Sequence, residues 1–388
     1  MIVGFAKPDW GVTGGFEVVL DRLADHLTAN GHSVVWLTVP GTVDDHSGDP
    51  VARSEHPEFF DYSSLVSRFG AVDASGVDVV VTTQPGSWAV DHPRKIALFY
   101  HHQRIFYDLS GSHLQASGKD PEIHEEACRL VRELDSRHFG TVEHFLVPSH
   151  TVEDRLIHYS GIDPSRMSLF LAGPVFGPEA APDPDRTRDT VVCVSRSEFT
   201  KRTQLFVAAA HEGFDAPAVL IGGGGQLPTV RRYAAEMAAG VTVAERAWDA
   251  TPVAERVEVV VPELPVDIVG RLSDDDLRSQ YSRAVCLVAP ALNEDYGLTV
   301  LEAFAFGVPV VVCRDGGGLV EFVDDGVNGF VVDPEPEAVA NAVRLLTNDA
   351  NRLQTMSLAA RATAERYTWQ QALDTFDKAL IGPTASAA

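Results

Sequence analysis

Short β-branched runs and longer helical stretches take turns along almost the whole chain, and this alternation limits the fold more than any other feature. Strands that follow one another through a helix lie parallel, and a parallel sheet needs helices on both faces. In the first half the strand candidates are residues 2–6, 33–39, 77–83, 96–100, 144–148 and 168–171. Between the first two a helix is expected over 15–30, with Val18, Val19, Leu23 and Leu27 on its inner side and Gly31 as its stop. A proline- and charge-rich stretch, 173–189, interrupts the pattern and reads as a linker. The alternation then restarts with strands at 191–195, 218–222, either 257–261 or 266–270, 285–289 and 309–313, and a helix over 201–211. Residues 241–265 follow neither period, and the small-residue tail 383–388 reads as disordered. The expected class is α/β, with two βαβ domains joined by a linker.

A length of 388 residues is enough for two substantial cores. With 31 basic against 55 acidic residues, the net charge of -24 argues against nucleic acid or an anionic membrane as an extended partner. A small anionic substrate stays open, because charges further away than the Debye length of about 8 Å are screened. Any anion site must therefore carry its own cations. No apolar run approaches the roughly 18 to 20 residues of a membrane helix, and Met1 leads straight into a strand-like run instead of a basic leader. Neither an integral membrane segment nor secretion is expected. Cys128, Cys193, Cys286 and Cys313 stand far apart, the last three inside apolar runs, which fits buried free thiols in a reducing cytoplasm better than disulfides or a zinc site.

Chemistry is most concentrated in Glu294-Asp295-Tyr296-Gly297-Leu298-Thr299-Val300-Leu301-Glu302. A loop over 290–296 follows a strand, and a helix is expected over 299–306. Its free N–H groups and dipole favour an anion, and Gly297 admits a ligand close to the backbone. Glu294 and Glu302 are then placed to address hydroxyls. Thr299 and Glu302 equally match a capping box, and Glu294 alone reads as a solvated carboxylate. After the strand at 191–195 come Arg196 and Lys201, the latter at an expected helix start where the dipole disfavours a cation. They are either solvated surface cations or a clamp on a pyrophosphate.

Near the N-terminus Trp10-Gly11-Val12-Thr13-Gly14-Gly15 links the first strand to its helix without the G-x-G-x-x-G spacing of a dinucleotide site. Its glycines allow a sugar or phosphate to approach, or simply make a tight turn. His101 and His102 follow the strand at 96–100 and can exchange a proton or bond a hydroxyl, unless they are structural. The glycines at 222–225 end another strand. Ser273 followed by Asp274, Asp275 and Asp276 reads as a capped helix start and not as a metal site. No His/Cys cluster has ligand spacing, and no G-x-S-x-G elbow occurs.

Together these pieces resemble the retaining family-4 glycosyltransferases of GT-B architecture. The resemblance rests on E-x(7)-E from Glu294 to Glu302 with Tyr296-Gly297 inside it, then Ala303-Phe304-Ala305-Phe306-Gly307-Val308-Pro309. It continues through Asp315-Gly316-Gly317-Gly318 with Glu321, and Asp325-Gly326-Val327-Asn328-Gly329-Phe330. Upstream, Arg196 and Lys201 are similar to the family's Arg-x(4)-Lys pair, and Gly14-Gly15 with Gly31-His32-Ser33-Val34 fits as well. The resemblance implies two Rossmann-like domains facing across a cleft. An acceptor-binding domain would span 1–173 plus about 368–388, with a linker at 174–189 and a donor-binding domain at 190–367. The helix after Tyr367-Thr368-Trp369 would return to the first domain.

The same resemblance implies a cytoplasmic enzyme that moves a sugar from a nucleotide-diphosphate sugar to an acceptor hydroxyl, keeping the anomeric configuration and needing no metal or other cofactor. Glu294, His101, Arg196 and Lys201 would be catalytic. Glu294 would hold the transferred sugar, His101 would sit at the sugar or acceptor, and the two cations would hold the diphosphate. The donor site would add Gly15, Gly223, Tyr296, Gly297, the amides of Leu298 and Thr299, and Glu302 on the ribose. The acceptor side would comprise Trp10, Gly14, His101, His102 and Gln103, with acceptor choice in loops around Trp10, Trp88 and 103–107, whose aromatics either stack on a sugar or aglycone or are buried. Four glycines at 222–225 depart from the family's usual Gly-x-Gly. The acceptor would be a sugar, a natural product or a lipid-linked sugar, and a homodimer is one option for assembly. A catalytically silent nucleotide-sugar-binding partner and a nucleotide-sugar epimerase remain as alternatives.

Overall fold

The computed structural model describes residues 1–11, 14–42, 56–175, 187–238 and 264–382. The chain divides into two compact units, Met1–Ala172 with Gln370–Ala388, and Gly173–Trp369. Residues 176–186 of the expected linker, 239–263 of the irregular stretch, the strand candidate 257–261 and the tail 383–388 lie outside the described residues.

In the first unit β1 (Ile2–Asp9), β2 (Ser33–Pro40), β3 (Val79–Thr82), β4 (Lys95–Leu98), β5 (His144–Val147) and β6 (Met167–Leu169) form one sheet in the order β2-β1-β3-β4-β5-β6. Every pair is parallel, and β1 runs beside β2 from Ile2 opposite Ser33 to Asp9 opposite Pro40. β3 and β4 are buried throughout, which is why residues 79–81 and 96–98 read as unbroken apolar runs instead of an alternating pattern. The helix Gly15–Ala29 buries Val19, Leu20, Leu23 and Leu27, a stripe at three- and four-residue spacing. The helix Trp369–Ile381 packs in this unit, with Phe376 stacked on Phe5, Asp377 3.0 Å from the His26 Nε2, and the Leu380 carbonyl accepting from Arg94 at 2.9 Å.

A buried carboxylate organises the middle of this unit. Asp135, on the helix Pro121–Phe139, accepts hydrogen bonds from Tyr62 Oη, Trp88 Nε1 (2.9 Å) and Tyr107 Oη (2.7 Å). Burial pushes its carboxyl up to about 6, while the three donors pull the other way. Trp88 and Tyr107 are thus core residues, which decides for the buried one of the two readings open to these loop aromatics. Their polar tips are satisfied inside, so burying them costs little.

The second unit repeats the plan with β7 (Thr190–Val194), β8 (Ala218–Ile221), β9 (Asp267–Gly270), β10 (Ala284–Ala289), β11 (Val310–Cys313) and β12 (Gly329–Val332), ordered β12-β11-β10-β7-β8-β9 and parallel throughout. β12 was not anticipated: it is four residues long and follows directly on a turn with a glycine at its first position. All four cysteines are buried and free, and burial raises the thiols of Cys193, Cys286 and Cys313 to about 12. The helix Asp274–Arg283 starts as expected, with the Ser273 hydroxyl accepting from the Asp276 amide at 3.2 Å. Among the described residues no helix is long and apolar enough to cross a membrane.

Candidate active site

The strand order of the second sheet reverses between β7 and β10: β8 and β9 extend to one side, β11 and β12 to the other. Beside such a reversal two loops diverge from the carboxyl ends of neighbouring strands and leave a crevice between them. Loop 195–202 follows β7, loop 290–297 follows β10 and loop 314–318 follows β11. Their backbones are knit together. The Leu292 amide donates to Thr200 O (2.6 Å), Asn293 to Asp315 O (2.7 Å), Glu294 to Gly316 O (2.9 Å), and Gly318 back to Glu294 O (2.8 Å). Glu294 is held from both sides, and its carboxylate accepts from the Lys201 ammonium in a largely buried ion pair. Arg196 is exposed and makes no ion pair among the described residues.

Lys201 does not open the α-helix as expected. It ends a single 3₁₀ turn, Phe199–Lys201, and the α-helix runs Thr203–His211. Between the two stands Arg202 in the left-handed region at φ 47, a conformation that a non-glycine residue holds only under constraint. The constraint is visible. The Arg202 guanidinium, 3% exposed, donates to Pro290 O (2.6 Å), Ala291 O (3.0 Å) and both carboxylate oxygens of Asp315 (2.8 and 2.5 Å).

The helix after β10 runs Leu298–Ala305 and starts one residue earlier than expected, with Gly297 at its cap. Gly297 has φ 129, and a Cβ there would lie 2.5 Å from Leu319 Cδ2, so only glycine fits. No side chain caps this helix, which corrects the capping-box reading of Thr299 and Glu302. The amides of Leu298 and Thr299 make no hydrogen bond among the described residues and remain available to an anion. Glu302 lies a turn inside the helix, buried, and accepts from the Tyr281 hydroxyl at 2.9 Å. Burial raises its carboxyl to about 7, the Tyr281 hydrogen bond working against the shift. Tyr281 itself is fully buried and stacks on Phe306.

One donor-site expectation changes in this setting. Tyr296 is 3% exposed and packs edge-on against Phe322, so its ring supports the loop and does not face a ligand. In the loop after β8, Gly222 at φ 137 has the Ser195 carbonyl where a Cβ would be, 1.9 Å away. The next residue, Gly223, accepts from the Ser197 amide at 2.5 Å and has open space beside its Cα.

The remaining candidates lie in the first unit, at the carboxyl edge of its sheet. Trp10 is exposed; its indole donates to Gln84 Oε1 at 2.7 Å and its ring covers Gly41. The Gly14 amide donates to the Glu17 carboxylate at 2.8 Å, so this helix start is capped by its own glutamate, and Gly15 is exposed as the first helical residue. His101 is half-buried, its Nδ1 2.8 Å from His102 O. His102 turns inward, stacked on Tyr107 at 4.1 Å and edge-on to Phe99, with Nε2 2.9 Å from Ser160 Oγ. His102 therefore leaves the acceptor side, because an aromatic core surrounds it. Gln103 precedes the 3₁₀ turn Arg104–Phe106 and is half-buried.

The model of the glycosyltransferase family 4 matches residues 13–171, and that of the glycosyl transferases group 1 matches residues 263–363, across Glu294 and Glu302. The chain belongs to the family-4 glycosyltransferases. Among curated members, the sulfoquinovosyl transferase SQD2 of Arabidopsis thaliana is 32% identical over 124 residues, 31% of this chain and 24% of that protein. The D-inositol 3-phosphate glycosyltransferase of Corynebacterium kroppenstedtii is 40% identical over 96 residues, 24% of this chain and 21% of that protein. The matched stretch thus spans only about a quarter of the length of these relatives. The sucrose-phosphate synthase of Thermosynechococcus elongatus superposes with a TM-score of 0.66 over 97% of both chains at 16% identity, a likeness of fold. The fold is GT-B.

Arg202 and Tyr281 belong to the site without any sequence motif to mark them. Arg202 is adjacent to Lys201 but stands outside the Arg-x(4)-Lys pair, so no motif marks it. Tyr281 stands 21 positions before Glu302, and only the packing of the helix Asp274–Arg283 brings them together.

Proposed function

We propose that the chain transfers a sugar from a nucleotide-diphosphate sugar to an acceptor hydroxyl with retention of anomeric configuration, and that its own cations, not a bound metal, take up the leaving charge. What carries the reading is the convergence at one sheet reversal of Lys201, Glu294 and the free amides of Leu298 and Thr299. In the free protein Lys201 and Glu294 satisfy each other. A diphosphate carries more charge than a single carboxylate, so it draws the ammonium away and frees Glu294 to accept from the sugar's hydroxyls.

As the glycosidic bond breaks, negative charge grows on the leaving diphosphate. Arg196, Lys201 and the two amides then do more in the transition state than in the ground state. Gly297 lets the diphosphate lie against the helix start, and Glu302, steadied by Tyr281, accepts from the ribose. Gly223 lies at the neighbouring strand end with room beside it. We assign the acceptor, a sugar, a natural product or a lipid-linked sugar, to Trp10, Gly14, His101 and Gln103 of the first unit, and the reaction to the cytoplasm.

The test is a panel of nucleotide sugars with chelator present, read by thermal protection, transfer to added acceptors and the anomer of the product by proton NMR. A donor at about 100 times its dissociation constant should stabilise the protein by about 2.7 kcal/mol. No protection by any nucleotide or nucleotide sugar at millimolar concentration ends the proposal. Binding without turnover points to a silent partner, and conversion of the donor sugar without transfer to an epimerase. An inverted product or an absolute need for a divalent ion overturns the corresponding half of the mechanism.

A further inference from the structure

The Arg202 side chain ties all three loops of the site together. It belongs to the loop after β7, donates to two carbonyls of the loop after β10, Pro290 and Ala291, and forks onto Asp315 of the loop after β11. Both partners of the Glu294 backbone, Gly316 and Gly318, lie within three residues of Asp315. Lys201 is the residue before Arg202. The geometry therefore links the two charged groups of the site through one buried guanidinium: move it, and the ammonium and carboxylate lose their common anchor.

We infer that Arg202 is a positioning residue, which sets the spacing of Lys201 and Glu294 for the diphosphate and the transferred sugar. This rests on the donor reading above. The planar fork is what the task needs, since five N–H groups in fixed directions can satisfy a carboxylate and two carbonyls at once, and a lysine can satisfy only part of that set. The left-handed backbone puts the guanidinium under the loops and leaves Lys201 free to face the site.

The experiment uses Arg202→Gly, which keeps the left-handed backbone without strain and removes the guanidinium, beside Arg202→Lys and Asp315→Asn. Two readouts are taken on the full chain. The first is amide hydrogen exchange without ligand. Segments 290–297 and 314–318 should exchange about tenfold faster or more in Arg202→Gly, while the helix Pro336–Thr347 keeps its protection. The second is affinity for UDP, GDP and ADP against the matching monophosphates. Diphosphate affinity should fall about tenfold or more and monophosphate affinity by less than about twofold, because only the anchored end is displaced.

Equal losses for both nucleotides, or unchanged exchange in the two segments, overturn the inference. If wild type binds no nucleotide, the donor reading fails and the exchange result alone decides the role of Arg202. If Arg202→Gly does not fold, Asp315→Asn decides by the same thresholds.

Discussion

At the scale of single residues the site holds two carboxylates in opposite states. Glu294 is paired with a cation, while Glu302 is buried beside a neutral phenol and pushed up to about 7. The pair assignments lead to separate predictions. Lys201→Ala should lower kcat/KM by about 10- to 100-fold, the worth of a charge-assisted contact of about 1.5–3 kcal/mol expressed in the transition state. Steady-state kinetics with the preferred donor checks this, and wild-type turnover would remove Lys201 from the mechanism. For Glu302 the expectation concerns pH. An ionised carboxylate accepts two ribose hydroxyl bonds more readily than a protonated one, so nucleotide affinity should fall as pH drops below about 7, and Tyr281→Phe should move the inflection upward. Calorimetric titration between about pH 6 and 8 reads it, and a flat profile counts against Glu302 as the ribose contact.

At the scale of elements, the helix Leu298–Ala305 shows how far the sequence could be read. Its position after a buried strand, its glycine and its free N-terminus were all legible, because they depend on neighbours in the chain. The cap was misjudged. Thr299 and Glu302 have capping-box spacing, but Gly297 starts the helix earlier and Glu302 turns into the core, drawn by Tyr281 from another helix. The same limit explains Arg202, Trp88, Tyr107 and His102, whose roles are fixed by hydrogen-bond partners 28 to 113 positions away that no local pattern encodes. Alternating strands and helices, by contrast, fixed the class and nearly every strand. Gly297 supplies the test at this scale. In Gly297→Ala the backbone conformation costs about 1 kcal/mol and the clash with Leu319 about 1–3 kcal/mol, so urea unfolding should show a loss of about 2–4 kcal/mol. A loss under about 0.5 kcal/mol would mean that the loop relaxes freely.

At the scale of the whole molecule the two units carry unlike titrating groups, and acid should separate them. In the first unit His56, His113 and His124 form a buried cluster, His56 Nε2 lying 2.9 Å from His124 Nδ1 with Glu58, Lys119, Ser110 and Cys128 around them. Burial, followed by the Lys119 cation, lowers His56 to about 4; burial also lowers His113, His124, His138 and His144. Each folded value lies below the ordinary 6.5, so the unfolded chain binds more protons between 6.5 and 4. The stability these imidazoles contribute is present above 6.5 and lost as pH falls toward 4. Asp135 and Glu302 act in the opposite sense: their folded values of about 6 and about 7 are raised, so their contribution grows as pH falls through the same window. The first unit therefore sets five imidazoles against one such carboxyl, whereas the second has Glu302 with none of these histidines. Acidification should loosen the first unit first. Hydrogen exchange at about pH 5 should show the helix Pro121–Phe139 losing protection that it has at about pH 7.5, while the helix Pro336–Thr347 keeps its own. Replacing His56 with leucine should narrow the gap between the units, since an apolar side chain has no proton to take up, and simultaneous loss in both helices would show that the buried imidazoles do not govern the acid limit.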